Sequence, residues 1–310
     1  MWLATHPSWA ESTRARNRSV LDNHVLPVWG KVPLSRVTFE GVQGWVSDLQ
    51  RAGLAAATVR KVAGVLSSVL RYAVKSKRLV VNPAEGISLP SQKLTPRRYL
   101  DARQVEGLAE AAGEHGRDVV LVLAYCGLRI GELSALRARN VLLLRRRLTI
   151  EESVTEVNGR LAWSSPKDHQ RRSVPFPSFL AESLARRVDG LDKEDLVFGS
   201  PQGGVLRVRN MRRGWFDAAA EDAGLTGLTP HELRHTAASM AVSAGASVLA
   251  LQRMLGHEKP SVTLDVYSDL FDEDLDTVAD RLTDARSRIL ADSVRTGEVA
   301  TFPQMRATGP

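Results

Sequence analysis

Apolar residues recur every three or four positions along most of this 310-residue chain, a spacing that predicts helices with one buried face. The clearest segment is 54–76, and Thr58 is the expected N-cap of its main part. Residues 89–98 contain two prolines and three basic residues with little apolar content, which predicts a linker. We therefore expect two domains, a helical one over residues 1–88 and a second one over residues 99–290.

The second domain is predicted to combine helices with a small sheet. Residues 147–176 predict a three-stranded antiparallel meander, because Asn158-Gly159 is a strong hairpin signal and residues 167–170 suit a second turn. Residues 291–310 lack periodicity and predict a flexible tail. The expected fold is mainly α, with a small antiparallel β-sheet in an α+β second domain. Helical patterns cover residues 101–112, 118–125, 130–137, 178–188, 207–223, 230–244, 247–255, 260–267 and 272–290.

The positive charge is concentrated in the first domain. The whole chain has 42 basic and 35 acidic residues, whereas residues 1–98 alone have 15 basic and 5 acidic ones. This imbalance is typical of a domain that binds a polyanion, although a solvated basic surface would give the same count. Candidate phosphate contacts are Lys61, Lys75, Lys77 and Arg78, of which the last three also suit the negative end of a helix dipole.

Composition excludes several other classes of protein. The longest apolar stretch, 119–128, is shorter than the roughly 20 residues of a membrane span, and the first thirty residues lack the apolar core of a signal peptide. The single cysteine, Cys126, excludes an internal disulfide framework and a cysteine-built zinc site. We therefore expect a cytoplasmic protein with no membrane partner.

Two candidate catalytic residues lie in the first half of the second domain. In GLRIGEL (127–133), Arg129 interrupts an apolar stretch, where an unpaired charge is costly to bury. It either pairs with Glu132, three positions on, or is held for an anionic ligand. Lys167 lies at the second predicted turn, a position where a lysine is most often simply solvated.

Four further candidates lie near the end of the chain. His231 and Arg234 are three positions apart in LTPHELRHT (228–236), so they share one helix face. His257 and Tyr267 follow in LGHEKPSVTLDVY. Imidazoles, a guanidinium and a phenol that meet in the fold would suit an anionic substrate.

A zinc site is a competing interpretation, because residues 231–235 read H-E-x-x-H, the pattern of zinc peptidases. That motif uses both histidines as ligands and the glutamate as general base. Here, however, Thr229, Pro230 and Glu232 are predicted to start a helix as N-cap, N1 and N3 of a capping box. The carboxylate would then bind the helix start instead of facing a metal-bound water.

Four segments together resemble the catalytic segments of the tyrosine recombinases, specifically phage integrases. They occur in the order and at the spacing usual in that family, as GLRIGEL, PKDHQRRSVPFP, LTPHELRHT and LGHEKPSVTLDVYSDL. The N-terminal part resembles the family's helical core-binding (SAM-like) domain through Trp9, residues 24–38, the 54–76 helix and VVNPA (80–84). The resemblance therefore covers nearly the whole chain and implies a DNA substrate.

The resemblance implies six catalytic residues: Arg129, Lys167, His231, Arg234, His257 and Tyr267. The two arginines would bind the non-bridging oxygens of the scissile phosphate, and His257 would donate a hydrogen bond to it. Glu232 stands where the family more often has aspartate, a conservative difference.

The remaining three residues would move protons and make the covalent bond. Tyr267 would be the nucleophile with His231 as its base, because an unperturbed phenol has a pKa of about 10. Lys167 would protonate the leaving 5′-oxygen. The product would be a 3′-phosphotyrosyl linkage that conserves the bond energy, so rejoining needs no ATP, metal or other cofactor.

The resemblance also implies partners: double-stranded attachment sites, host or phage factors that bend DNA or set direction, and a tetramer of the chain on DNA. The segment after Tyr267 is acidic with an apolar stripe. It either packs on its own domain or docks on a neighbouring protomer, as is common in this family. Because the core-binding pattern begins almost at Met1, we expect the arm-binding domain of many phage integrases to be absent or removed.

Some alternatives share the chemistry and others do not. A cellular recombinase that resolves chromosome dimers, a mobile-element recombinase and a type IB topoisomerase would all use the same residues. The zinc peptidase would lose activity to a chelator, and a non-catalytic DNA-binding protein would tolerate the loss of Tyr267.

Overall fold

The first hydrophobic core lies within residues 2–89 and is enclosed by helices. The computed structural model describes residues 2–92, 97–164, 171–200, 203–271 and 274–296. A π-helical turn over Leu21–Val25 joins the first two α-helices. The helices around this core are α1 (Glu11–Val20), α2 (Leu26–Trp29), α3 (Phe39–Arg51) and α4 (Ala56–Lys75).

Helix α4 corresponds to the strongest pattern in the sequence. Its core-facing side chains are buried as the spacing predicts: Val62, Val65, Leu66, Leu70 and Ala73. The predicted N-cap is wrong, because Thr58 lies inside the first turn and its N–H donates to the Ala55 carbonyl. Leu54 packs against the first core just before the helix, so packing turns the chain into the helix without a side-chain cap.

The chain between the two domains is anchored at both ends. A guanidinium nitrogen of Arg60 donates to the Pro90 carbonyl at 3.1 Å. Arg98 donates to the carbonyls of Leu225 and Thr226, both at 3.2 Å. The start of the predicted linker is thus held by the first domain and its end by the second.

The second domain is also mainly helical, which confirms the predicted fold class. Its most buried helix is α6, which packs between α5 and α11. Among the described residues, no helix combines the length and the apolar character that a membrane crossing requires. The helices are α5 (Ala102–Ala111), α6 (Gly113–Cys126), α7 (Ile130–Leu133), α8 (Ala181–Val188), α9 (Val208–Met211), α10 (Asp217–Asp222), α11 (Pro230–Ser243), α12 (Val248–Leu255), α13 (Pro260–Tyr267) and α14 (Asp274–Thr296).

Three predicted boundaries are wrong in this domain. The helix expected over 118–125 begins five residues earlier, as α6 over Gly113–Cys126. The helix expected over 130–137 is the single turn α7, because Arg137 leaves it to bond with Glu152 and with the Glu194 carbonyl. Residues 291–296, predicted as the start of a flexible tail, continue helix α14. The rest of the predicted tail lies outside the described residues.

The predicted meander is replaced by two separate antiparallel sheets. The Asn158-Gly159 turn is confirmed, with φ of +50° and +78°, as the hairpin turn between β3 and β4. The expected third strand, however, pairs with β2 and leaves β4 without that neighbour. The strands are β1 (Val141–Leu142), β2 (Arg147–Ile150), β3 (Ser153–Val157), β4 (Arg160–Ser164) and β5 (Arg172–Pro175), and the first sheet has the order β1-β2-β5.

The reason for this pairing lies in the two residues between β2 and β3. Glu151 and Glu152 leave the strand to form ion pairs with Arg139 and Arg137, at 3.4 and 3.0 Å. Leu148 and Ile150 of β2 belong to the core of the second domain, whereas Val154 and Val157 of the following hairpin do not. Leu148 and its partner Val174 are both fully buried in that core.

Candidate active site

The C-terminal end of α12 holds three arginines. The successive carbonyls of residues 254–256 accept hydrogen bonds from Arg172, Arg234 and Arg129, at 3.2, 2.6 and 3.4 Å respectively. Carbonyls at this end of a helix lack partners within the helix and form the negative pole of its dipole. The end of α12 therefore draws three guanidinium groups from distant parts of the chain into one cluster.

Two glycines make this cluster possible. Gly127 ends α6 and Gly256 ends α12, with φ of +65° and +66°, a conformation that favours glycine. The Gly127 carbonyl accepts a further bond from Arg234 at 2.6 Å. A Cβ on Gly256 would lie 2.7 Å from the Arg172 side chain, so a larger residue there would displace that arginine.

Glu132 connects two of the arginines. Its carboxylate accepts two bonds from Arg172, at 2.8 and 2.5 Å, and one from the Arg129 side chain at 2.8 Å. The side chain is 3% exposed. Burial by itself would raise its pKa, but the hydrogen bond and charge of Arg172, and then the charge of Arg129, lower the pKa to about 2. Glu132 is thus a permanent anion that orients both guanidinium groups.

Arg129 and Arg234 occupy different environments within the cluster. The Arg129 side chain is 44% exposed, so it both pairs with Glu132 and presents its guanidinium to solvent. Arg129 therefore combines the two roles that the sequence presents as alternatives. Arg234 is buried, and burial followed by the charge of Arg129 lowers its pKa to about 9, which leaves it cationic at neutral pH. The two side chains donate to adjacent carbonyls at the end of α12.

Three histidines line the same region. The His231 and His235 rings meet edge to face with centroids 4.8 Å apart, one turn from each other on α11. Nδ1 of His257 lies 2.9 Å from the hydroxyl of buried Thr263 on α13. Burial, followed by the charge of Arg234, lowers the pKa of His257 to about 4. When Thr263 donates to Nδ1, the imidazole proton lies on Nε2, where it can bond to an anion.

Tyr267, the last residue of α13, is 1% exposed. Its ring lies almost parallel to that of His257 and belongs to a small apolar cluster with Leu251 and Leu255. The hydroxyl lies 2.8 Å from Nδ1 of His235. Burial raises the pKa of Tyr267 to about 12, so the phenol is neutral at physiological pH.

The fold therefore brings Arg129, His231, Arg234, His257 and Tyr267 into one region. Lys167 lies outside the described residues. The first-domain candidates Lys61, Lys75, Lys77 and Arg78 are exposed and lie away from this region, on α4 and the turn after it.

Sequence reasoning missed three residues of the site. Arg172 lies in one of the four resembling segments, but the motif gives it no role. Its contact with Glu132 spans forty positions, so it is not visible in the local sequence. Glu132 was considered only as a partner for Arg129. The motifs present His235 as a possible zinc ligand and as one of three imidazoles suited to an anionic substrate, but give it no role of its own. Its place one helical turn after His231 indicates that both rings face the same way.

The capping box that argued against a zinc site is confirmed. The Glu232 carboxylate accepts bonds from the Thr229 backbone N–H at 2.7 Å and from its hydroxyl at 2.9 Å. His235 uses Nδ1 for Tyr267. Within the described ranges, no group of three histidine, cysteine or acidic side chains is arranged to hold a metal ion.

Both halves of the chain match one protein family. Residues 98–274 match the Phage integrase family, and residues 1–88 match the Phage integrase central domain. The chain belongs to the phage integrase family. This assignment confirms the predicted enzyme class, a tyrosine-type site-specific DNA recombinase.

This phage integrase family member is similar to both cellular and phage recombinases. The tyrosine recombinase XerC of Corynebacterium efficiens is 30% identical over 243 residues, which cover 74% of this chain and 73% of that protein. The integrase of Mycobacterium phage L5 is 26% identical over 278 residues, which cover 85% of this chain and 72% of that protein.

Solved integrase structures share the fold. The Tn1549 transposon integrase in complex with transposon right end DNA has a TM-score of 0.76 at 19% identity, covering 91% of this chain and 96% of that one. A lambda integrase dimer bound to a core site has a TM-score of 0.69 at 18% identity, with coverage of 86% and 93%.

Proposed function

We propose that this integrase cleaves and rejoins double-stranded DNA at attachment sites through a covalent bond between Tyr267 and a 3′-phosphate. The observation that carries the proposal is the position of the Tyr267 hydroxyl, 2.8 Å from an imidazole nitrogen in the region of the arginine cluster. A phenol beside a proton acceptor and several guanidinium groups suits attack on a phosphodiester.

The arginine cluster would stabilise the charge of the transition state. Arg129 and Arg234 bind the non-bridging oxygens, and His257 donates a third hydrogen bond. These groups are held by carbonyls, by Glu132 and by Thr263 before substrate arrives, so little reorganisation is needed during the reaction. One such donor is worth on the order of 10²–10³ in rate.

The chemical step conserves the number of phosphate ester bonds. The Tyr267 oxygen bonds to phosphorus as the bond to the 5′-oxygen breaks, and Lys167 gives the leaving oxygen a proton. The role of Lys167 rests on its place in the segment PKDHQRRSVPFP. His231, the base that the resemblance implies, completes the proposed catalytic set. Rejoining reverses the step on a second strand without a cofactor.

The test is covalent trapping on a nicked duplex. The substrate is found by incubating the protein with a library of randomised duplexes. DNA that becomes covalently linked to protein is separated from free DNA by phenol extraction and sequenced. The nick lets the short cleaved strand diffuse away, so the adduct accumulates. We expect a detergent-resistant adduct that survives EDTA, and Tyr267→Phe is the matched control. Strand cleavage that is lost in EDTA and restored by zinc would instead support a metal-dependent site.

We further propose that the reaction integrates or excises a phage or other mobile genome in the bacterial cytoplasm. Similarity to the L5 integrase over 85% of the chain supports this role, while similarity to the bacterial tyrosine recombinase XerC supports the alternative of a cellular recombinase. Such a recombinase would resolve chromosome dimers. The test uses a non-replicating plasmid that carries the gene and its flanking DNA. Insertion of this plasmid at a single position in the chromosome favours integration. Resolution of plasmid dimers without insertion favours the alternative.

The first domain would bind the DNA backbone. Lys75, Lys77 and Arg78 are exposed at the end of α4, where backbone bonds from residues 77 and 78 to residues 74 and 73 close the helix. Lys77 has a φ of +56° in this turn. The carbonyls of the last turn are thus capped by the backbone, which leaves the three side chains available for phosphates.

Neutralising these three residues is expected to weaken binding to all duplexes and to flatten its salt dependence. The variant combines Lys75→Gln, Lys77→Asn and Arg78→Gln, with asparagine at the position of positive φ because it tolerates that conformation. Removing one phosphate interaction should reduce the slope of log K against log salt by about 0.9. Fluorescence anisotropy between about 50 and about 300 mM salt, a range over which the screening length changes strongly, measures the slope.

A matched control removes the same charge from arginines already engaged in exposed ion pairs: Arg18, Arg51 and Arg186, each changed to glutamine. We expect this control to keep a slope closer to that of the wild type. Equal slopes for the two triple variants would mean that only net charge matters.

We propose that α14 links protomers into a tetramer on paired sites, where host or phage bending and directionality factors would also act. Every side chain of α14 that the structure describes is exposed, including Leu282 at 67% and Ile289 at 43%. An apolar stripe on an exposed, acid-rich helix suits a protein surface better than DNA. A lambda integrase tetramer bound to a Holliday junction is among the structures with this fold.

Truncation after Phe271 is expected to spare single-site binding and to prevent pairing of two sites. The cut retains Leu270 and Phe271, which pack against the Tyr267 cluster, so the nucleophile stays enclosed. Native gel shifts with one and two labelled duplexes measure both steps. Synaptic complexes formed normally by the truncated chain would show that α14 is not the link.

A further inference from the structure

The partner of the Tyr267 hydroxyl is His235, a residue to which the proposed catalytic set gives no role. The two atoms are 2.8 Å apart, and the rings meet with centroids at 5.6 Å. His235 is half-buried on α11, directly after Arg234, and the phenol is almost completely buried. This contact joins the last turn of α13 to the helix that carries the buried arginine.

The chemistry of the two groups determines the direction of the hydrogen bond. Burial, followed by the effect of His231, lowers the pKa of His235 to about 4, so its imidazole is neutral at physiological pH. A neutral phenol is the natural donor to an unprotonated Nδ1, which leaves the imidazole proton on Nε2. The nucleophile therefore already directs its proton at a base.

His231, the base expected from the sequence, has a different position. It lies one turn earlier on the same helix, is exposed, and contacts the His235 ring edge to face. The charged and titratable groups that act on this pair come from α11, from the chain around the linker end and from the turns before α7 and after α12: His231, Glu232, Arg234, Arg97, Tyr99, Arg129 and His257.

We propose that His235 is the proton acceptor for Tyr267 in strand cleavage and the proton donor in rejoining. As the phenol oxygen bonds to phosphorus, its proton passes to Nδ1 of His235, and Lys167 protonates the 5′-oxygen that leaves. In rejoining, the 5′-hydroxyl attacks phosphorus and gives its proton back to Lys167, while His235 returns its proton to the Tyr267 oxygen that leaves. This inference rests on the proposed role of Tyr267 as the nucleophile.

Substrate binding would strengthen His235 as a base. Arg234 is among the groups that hold its pKa down. A phosphodiester bound by Arg129 and Arg234 offsets their positive charge and adds a negative one nearby, and both effects favour the protonated imidazole. The base would thus gain affinity for the proton only when DNA is in place.

The experiment compares single-turnover adduct formation on the selected nicked duplex between pH 6 and 9, at saturating protein, for three variants. In His235→Ala the rate at neutral pH should be about 10²–10⁴-fold below that of the wild type. It should increase about tenfold for each unit of pH, because hydroxide must deprotonate the phenol. His235→Asn keeps an acceptor oxygen near the place of Nδ1 but cannot take a proton, so it should show the same slope. The wild type should show a flat profile, because its base is already unprotonated over this range. His231→Ala should keep that profile, whatever its rate.

Several outcomes decide the matter. Partial rescue of His235→Ala by added imidazole supports the proposal. A wild-type rate and flat profile in His235→Asn would overturn it, because that residue would then only position the phenol. Duplex affinity and thermal unfolding identify a variant that fails to fold, in which case His235→Asn carries the test. A normal His235→Ala beside an inactive Tyr267→Phe rejects this inference alone, whereas adducts in Tyr267→Phe reject the proposed function.

Discussion

Replacing Tyr267 with phenylalanine is expected to abolish the covalent protein–DNA adduct while duplex affinity stays within about twofold. Phenylalanine fills the same space in the apolar cluster with Leu251 and Leu255, so the fold of α13 is retained. The substitution removes only the oxygen that would bond to phosphorus. A covalent pathway without its nucleophile loses more than the roughly 10²–10⁴-fold that removing a general base costs.

The measurement is the fraction of labelled nicked duplex that remains bound to protein in detergent. Tyr125→Phe is the control, because Tyr125 is a partly buried tyrosine that packs edge to face with Phe179, in another part of the second domain. It should form adduct at the wild-type rate. An adduct of normal yield with Tyr267→Phe would place the nucleophile at another residue. Loss of the adduct in Tyr125→Phe at the same time would point to Tyr125.

Glu132→Gln is expected to reduce both the stability of the fold and the rate of cleavage. The amide cannot balance the two guanidinium groups that the carboxylate now binds, and the Arg172 side chain is itself only 11% exposed. Breaking a buried ion pair by removing one partner costs about 3–5 kcal/mol of unfolding free energy. Cleavage should fall by on the order of 10²-fold, because Arg129 loses the anchor that orients it.

Urea unfolding and single-turnover cleavage measure the two effects. Glu182→Gln is the control, since Glu182 forms an exposed pair with Arg186 one turn away on α8. Its unfolding free energy should change by less than about 1 kcal/mol. If Glu132→Gln were as mild as this control, the carboxylate would not organise the cluster.

The contribution of Glu132 should also depend on pH in a defined direction. Its pKa is lowered in the folded protein from 4.5 to about 2. The carboxylate therefore stabilises the folded state fully above pH 4.5 and loses that effect as the pH falls through about 2. The shift corresponds to about 3 kcal/mol. The difference in unfolding free energy between wild type and Glu132→Gln should thus shrink between pH 5 and pH 2.

Most of the individual elements follow from the sequence because their signals are short-range. The apolar spacing of α4, the capping box from Thr229 to Glu232 and the Asn158-Gly159 turn depend on residues within a few positions of each other. Gly127, which follows the predicted helix 118–125, ends α6 in the left-handed conformation. The order of the four catalytic segments was likewise sufficient to indicate the family.

Strand pairing could not be predicted in the same way. The segment 147–157 reads as one strand, yet it divides where Glu151 and Glu152 find arginine partners brought in by the fold. Register between β2 and β5 is set by Leu148 and Val174, which meet only in the closed core. The alternation of apolar and polar residues favours one continuous strand, whereas ion pairs with distant arginines favour a break. The spacing of apolar residues alone does not show which of the two prevails.

The sequence by itself determined the family and the candidate catalytic residues, since Arg129, Arg234, His257 and Tyr267 are marked by their motifs. Only the tertiary structure decided what each one contacts. Arg234 reaches the Gly127 carbonyl across 107 positions, Arg172 reaches Glu132 across 40, and Tyr267 reaches His235 across 32. Carbonyl orientation at a helix end and the burial of a phenol depend on how helices pack, so the organisation of the site arises only when α6, α11, α12 and α13 come together.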